Sequence, residues 1–178
     1  MMKIFVINGF PQSGKSTFVK FCTDELGAWG YEVSTVDFVK RLATMCGWDG
    51  TKTPKNRKFL SDLKDLLTNW NNVPYNEILR EKRVFEYSFN QYDISTDNCF
   101  FFIHCREPEE IQKFVDGIGA KTILILRNDK ENLEQSNHAD ADVLKFNYDI
   151  VIDNNGTLKD LKDKAKKFLK DNGWKRKW

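Results

Sequence analysis

Gly9-Phe10-Pro11-Gln12-Ser13-Gly14-Lys15-Ser16-Thr17 decides the reading of this chain. It fits Gly-x-x-x-x-Gly-Lys-Ser, the spacing of a phosphate-binding P-loop. Before it, Lys3-Ile4-Phe5-Val6-Ile7 reads as a short apolar strand; after it, Thr17 to Leu26 reads as a helix. That strand–loop–helix setting is the one the motif requires. Gly9 and Gly14 tolerate φ > 0, so successive backbone N–H groups can converge into an anion-binding concavity. The helix beginning near Lys15 adds its partial positive charge. Lys15 is expected to reach the β- and γ-phosphates of a nucleoside triphosphate, and the Ser16 hydroxyl to ligate Mg²⁺. Pro11, Gln12, Ser13 and Thr17 complete the expected cradle, with ATP and Mg²⁺ as cofactors.

The 178-residue length suits one domain with a real core. The net charge of +2 gives no strong basic field, which disfavours nucleic acid as the main partner. Cys22, Cys46, Cys99 and Cys105 form no Cys-x-x-Cys pair, and with only two histidines a zinc site is not expected. Free thiols fit a reducing compartment. The N-terminus runs directly into the first strand, with no signal-like or long apolar span. A soluble cytoplasmic protein follows as the expectation, with no membrane partner and with a homodimer left open.

Five apolar runs read as strands: 3–7, 31–36, 99–103, 121–126 and 149–152. The continuously apolar Phe100–Ile103 and Thr122–Leu126 suit parallel strands covered on both faces. Phe59, Leu63, Leu66, Leu67 and Trp70 fall on one helical face, as do Leu158, Leu161, Ala165, Phe168 and Leu169. Glu107 to Gly117 reads as a helix with Pro108 in its first turn and Gly117 ending it. The alternation predicts an α/β three-layer sandwich with a five-stranded, mainly parallel sheet. Two stretches are long for connections: 37–98, holding two or three helices, and 128–148. Both follow strand carboxyl ends, where ligands of open parallel sheets bind. The first is expected to hold an acceptor and the second to act as a lid.

Beyond the P-loop, four further stretches resemble the P-loop kinases that include bacteriophage deoxynucleoside monophosphate kinases and their bacterial relatives. They are Val36–Leu42 continuing into Cys46–Gly50 and Lys55–Leu60, Ile103–Glu110, Gly119–Arg127, and Asp149–Leu158. The resemblance implies a nucleoside-monophosphate-kinase-like fold and transfer of a phosphoryl group from ATP to a nucleoside monophosphate. One position departs from it: His104 stands where the family has an acidic residue two positions before the arginine matched by Arg106. Imidazole is a poor partner for a hard cation; Glu107 and Asp37 are the alternative carboxylates.

Arg106 and Arg127 stand at the predicted carboxyl ends of central strands, and an arginine fork suits phosphate. Fold placement and resemblance together assign Arg106 to the acceptor phosphate and Arg127 to the transferred group; surface ion pairing is the plainer alternative. Asp37 is read equally as a contact to sugar or base and as a helix cap. Arg41 and Arg57, with Lys40, lie in the acceptor insertion, as solvated charges or as phosphate contacts. The resemblance places Asn154 and Asn155 near the donor's adenine, and a turn with Thr157 or Asn155 capping the last helix is compatible with that. Trp48, Trp70 and Tyr75 read as core before stacking platforms. Arg80, Lys82 and Arg83 read as a solvated face, His138 as an idle loop residue, and Trp174–Trp178 as a solvated tail. No Asn-Lys-x-Asp guanine motif is present, which disfavours a GTPase.

Overall fold

Strands that read as unbroken apolar runs need cover on both faces, and the chain supplies it with helices on each side of one sheet. The computed structural model describes residues 1–128 and 143–175. In chain order the elements are β1 (Lys3–Asn8), α1 (Lys15–Leu26), β2 (Gly30–Ser34), α2 (Asp37–Met45), α3 (Pro54–Asn71) and α4 (Val73–Asn90). They continue with β3 (Phe100–His104), α5 (Pro108–Ile118), β4 (Lys121–Leu126), β5 (Ile150–Asp153) and α6 (Leu158–Asp171). The sheet order is β2-β3-β1-β4-β5, and every pairing is parallel. The expected α/β sandwich with a five-stranded parallel sheet is therefore the observed fold.

Alternation along each strand sorts side chains into two cores. Phe5, Ile7, Phe100, Phe102, Ile123 and Ile125 face α1 and α6, packing with Phe18, Val19, Cys22 and Phe168. Ile4, Val6, Phe101 and Ile103 face the other way, against Ile78, Phe85 and Phe89 of α4 and Ile111 and Phe114 of α5. All four residues Phe100–Ile103 are 0% exposed. Burying each such phenylalanine contributes roughly 1.5–3 kcal/mol. Among the described residues, no helix is long and apolar enough to cross a membrane.

Several local expectations need correction. Helix α5 runs through Gly117 and is stopped by Gly119, whose φ of 64° puts it in the left-handed C-cap conformation. Gly117 is instead a packing glycine, since a Cβ there would overlap the Tyr75 hydroxyl. Helix α3 buries no residue: Leu66 and Trp70 are 65% and 76% exposed, and Phe59 is exposed too. Its apolar stripe exists, but α2 and α4 cover only part of it. Leu158 is exposed as well, while Leu161, Ala165, Phe168 and Leu169 are buried as their spacing predicts. Strand β2 stops at Ser34 rather than 36, because the Asp37 carboxylate accepts from the Ser34 N–H (2.8 Å) and closes a turn. The insertion holds three helices, α2 to α4. Most of the expected lid, with His138, lies outside the described residues.

Candidate phosphate-binding site

The loop between β1 and α1 has the backbone that the glycine spacing demands. Gly9 and Gly14 adopt φ of 147° and 97°, and Gln12 sits at 61°, a left-handed conformation uncommon for a residue with a side chain. A Cβ on Gly9 would overlap the Ile125 carbonyl oxygen and lie 2.8 Å from Ser13 Oγ; one on Gly14 would overlap Asn154 Nδ2. Gly14 is the N-cap of α1 and supplies no side chain, and the first turn has no acidic residue. The first-turn N–H groups therefore meet no capping side chain, in contrast to α3 and α6, which Thr53 and Thr157 cap. Ser13 is 0% exposed and its Oγ is buried without a hydrogen-bond partner. Lys15 Nζ donates to the carbonyl oxygens of Gly9 and Phe10, at 2.6 Å each. A glycine-shaped hollow, uncapped amides, an orphaned hydroxyl and a lysine folded over the rim fit a polyphosphate.

Three polar side chains brace this loop from neighbouring strands. Asn8 ends β1 at 0% exposure. Its Oδ1 accepts from the Gly9 N–H (2.8 Å), and its Nδ2 donates to the Arg106 carbonyl (3.1 Å) and the Tyr148 hydroxyl (2.7 Å). Tyr148 donates in turn to the Val143 carbonyl (2.8 Å), and burial pushes its phenol up to about 12. Asn154, buried just after β5, donates from Nδ2 to the Ser13 carbonyl (2.8 Å). Its neighbour Asn155 exchanges hydrogen bonds with Asn128 at 2.8 and 3.1 Å, tying the β5 turn to the end of β4. Thr157, not Asn155, caps α6, in a reciprocal capping box with Asp160. Asn8 and Tyr148 escaped the sequence reading; the signal for Asn8 was a polar residue closing an apolar strand directly before Gly9.

Strand order places Arg106 and Arg127 on either side of the loop. Ile7 of β1 is in register with His104 and Asn8 with Leu124, so the arginines follow the strands flanking β1 at the same edge. Arg106 is exposed and Arg127 half-buried, and both have interaction partners. Asp37 lies in the first turn of α2, engaged with the Ser34 N–H and 3.6 Å from Lys40. Arg41 is 3.6 Å from Glu77 and 3.9 Å from Glu81 and stacks on Phe38. These residues line a small hollow between β2, α2 and α4. Tyr31 donates to Glu81 (2.8 Å), and burial together with that bond raises its phenol to about 12. Arg57 is exposed in the first turn of α3, where its Nε donates to the Lys52 carbonyl (3.2 Å). Tyr75 packs on Phe114 in the core, while Trp70 is exposed.

The metal question turns on His104. Its Nε2 lies 2.8 Å from Glu32 Oε1 on β2. Among the described residues, no cluster of three or more His, Cys, Asp or Glu could hold a metal on its own. A cation carried by a nucleotide's phosphates would find an oxygen ligand in the Ser16 hydroxyl, at the start of α1.

No family model and no curated protein matches the chain. Among solved structures it is similar to dephospho-CoA kinase from Campylobacter jejuni, with a TM-score of 0.51, 18% identity, and 96% and 97% of the two chains covered. A sugar kinase from Janibacter sp. HTCC2649 aligns over 98% and 97% of the chains at 14% identity, with a TM-score of 0.47 too low to bear on the fold. The first likeness, spanning nearly both chains, places this protein in the P-loop kinase fold.

Proposed function

We propose that this protein is an ATP-dependent phosphotransferase acting on a small phosphorylated acceptor, with a nucleoside or deoxynucleoside monophosphate as the best-supported class. The observation that carries the reading is the loop at residues 9–17, where two glycines are sterically obligatory and a buried Ser13 hydroxyl has no partner. The resemblance noted in the sequence, and an insertion of three helices beside the carboxyl end of β2, support the acceptor class.

In this reading the chain's task is positioning and charge neutralisation. The loop amides and Lys15 hold the donor's phosphates, Lys15 exchanging its carbonyl partners for phosphate oxygens. Ser16 would hold Mg²⁺, which would offset phosphate charge when bound. Arg106 grips the acceptor phosphate and Arg127 stabilises the migrating group. An acceptor phosphate oxygen bonds to the γ-phosphorus while its bond to the β–γ bridging oxygen breaks, and ADP departs. The acceptor is anionic at neutral pH, so no side-chain base is required. Asp37, Arg41 and Arg57 are the acceptor-side candidates, and Asn154 and Asn155 the donor-side ones. Nucleotides are the proposed partners, with nucleic acid excluded from the proposal and homodimerisation open.

A second reading keeps the fold and changes the acceptor, to a nucleoside or a phosphorylated isoprenoid precursor. A third, favoured by His104, is a nucleotide-binding regulator without turnover. Coupled assays with ATP and a panel of acceptors separate the three. Turnover on monophosphates, lost in Lys15→Ala, is the expected result. No turnover above that variant for any acceptor would overturn the proposal.

A further inference from the structure

The buried Asn8 carboxamide touches both halves of the proposed reaction. Its Oδ1 accepts from the N–H of Gly9, the first glycine of the donor loop, at 2.8 Å. Both hydrogens of its Nδ2 are used, one on the Arg106 carbonyl at 3.1 Å and one on the Tyr148 hydroxyl at 2.7 Å. One planar group thus joins the loop for the donor's phosphates to the backbone of the arginine assigned to the acceptor. Its orientation is forced: a flipped carboxamide would set donor against donor at Gly9 and acceptor against acceptor at Arg106. At this side-chain length only asparagine offers an acceptor and two donors in one plane. A carboxylate has no hydrogen for the Arg106 carbonyl, and a hydroxyl has a single one.

The turn that carries Arg106 depends on β1 for its placement. The Cys105 N–H donates to the Ile7 carbonyl at 3.3 Å, and one residue on the Arg106 carbonyl meets Asn8. Glu107 then caps α5 without a side-chain hydrogen bond, and Pro108, at the start of the helix, has no N–H to give. The Arg106 side chain is exposed while its carbonyl is gripped from the interior. A guanidinium lies at the end of a long side chain, so a small rotation at the backbone root displaces the tip, and an error of about 1 Å in placing a reacting group can cost about a hundredfold.

Tyr148 holds the carboxamide in turn. Its hydroxyl donates to the Val143 carbonyl at 2.8 Å, which leaves its lone pairs for Asn8, and its ring packs on Phe146 with centroids 5.1 Å apart.

We propose that Asn8 is a positioning residue for phosphoryl transfer: its carboxamide sets the backbone of Arg106 against the donor loop, and Tyr148 fixes the carboxamide. This rests on the phosphotransferase reading above.

The probes are a non-hydrolysable ATP analogue, measured by calorimetry, and dTMP, dCMP, dGMP and AMP as acceptors, measured by coupled assay and, where turnover is slow, by calorimetry. Asn8→Asp keeps the Gly9 contact, lets the Tyr148 hydroxyl turn to donate, and sets an oxygen against the Arg106 carbonyl. It is expected to raise the acceptor KM about tenfold, with affinity for the ATP analogue within about twofold of wild type. Tyr148→Phe is expected to raise the acceptor KM about threefold with the same sparing of the donor side. In an Arg106→Ala background, Asn8→Asp should weaken acceptor affinity no further, because both changes act on one group. Thermal unfolding checks each variant, and if Asn8→Asp does not fold, Tyr148→Phe alone and in the Arg106→Ala background decides. An unchanged acceptor KM in any folded single variant, an equal loss of donor affinity, or an effect undiminished without the Arg106 side chain overturns the proposal and leaves the kinase reading intact. A wild-type protein that binds the analogue and turns over none of the four monophosphates overturns the acceptor reading, and the positioning role with it.

Discussion

Between β1 and α1 the backbone is fixed by steric fit, whereas α3, set between the core-packed α2 and α4, is only partly covered and is held to the body by an ion pair. In the first region a single methyl group at Gly9 would strike a backbone carbonyl, and Asn8 and Asn154 lock the loop from beneath. In the second, α3 buries no residue and is tied to α5 by the Lys64–Glu110 pair at 2.8 Å, while Arg41 of α2 lies 3.6 and 3.9 Å from Glu77 and Glu81 of α4. Backbone overlap admits no alternative, but ion pairs and partly covered helices can be exchanged.

The sharpest way to break the contrast is at the loop. Gly9→Ala combines a strained φ with overlap on Ile125 and should cost about 4 kcal/mol, seen in chemical denaturation, with loss of nucleotide binding. A mild effect would mean that steric fit is not what fixes this region.

The next test is on the charged side. Lys64 and Glu110 are 12% and 9% exposed, and the Cys105 thiol donates to the same carboxylate at 3.4 Å, its own ionisation strongly opposed by burial and by Glu110. Lys64→Met leaves Glu110 buried without its cation and should cost about 3 kcal/mol. Lys64→Met with Glu110→Leu should recover most of that loss. Neither change should weaken nucleotide affinity in calorimetry; if one does, the two regions are energetically coupled.

Smaller effects sharpen the comparison at the last helix. Thr157→Ala removes the capping hydroxyl of α6 and should cost about 1 kcal/mol, measured by thermal unfolding. Acid should act on the same turn. Asp160 is held below the ordinary carboxylate range by the Thr157 N–H and hydroxyl, and Asp153 by Lys164 and the Asn155 N–H. A carboxyl depressed in the folded state contributes stability above its unfolded value and loses it as pH falls through the folded one. Melting temperature should therefore fall below roughly pH 4, and less steeply in Asp160→Asn.

The strand–loop–helix signal and the core strands were legible because their information is local. Gly9, Gly14 and Lys15 specify a turn within nine residues, and the unbroken apolar run Phe100–Ile103 suits a parallel strand covered on both sides. The insertion was legible as helices but not as surfaces. The spacing of Phe59, Leu66 and Trp70 fixes a stripe on α3, while its exposure depends on which elements pack nearby. The helix stop at Gly119 rather than Gly117 was hidden because both are glycines, and only the approach of Tyr75 explains the first of them.

By itself the sequence determined that a tight glycine-dependent turn would follow the first strand and lead into a helix, since glycine spacing and backbone sterics act over a few bonds. Only the tertiary structure decided that Asn8, Tyr148 and Asn154 would brace it and that His104 would find Glu32. Those partners lie 72 to 141 residues apart along the chain, or in Asn8–Gly9 merely adjacent but aimed by the strand. They meet because parallel pairing brings the carboxyl ends of five strands to one edge, a register that no local pattern encodes.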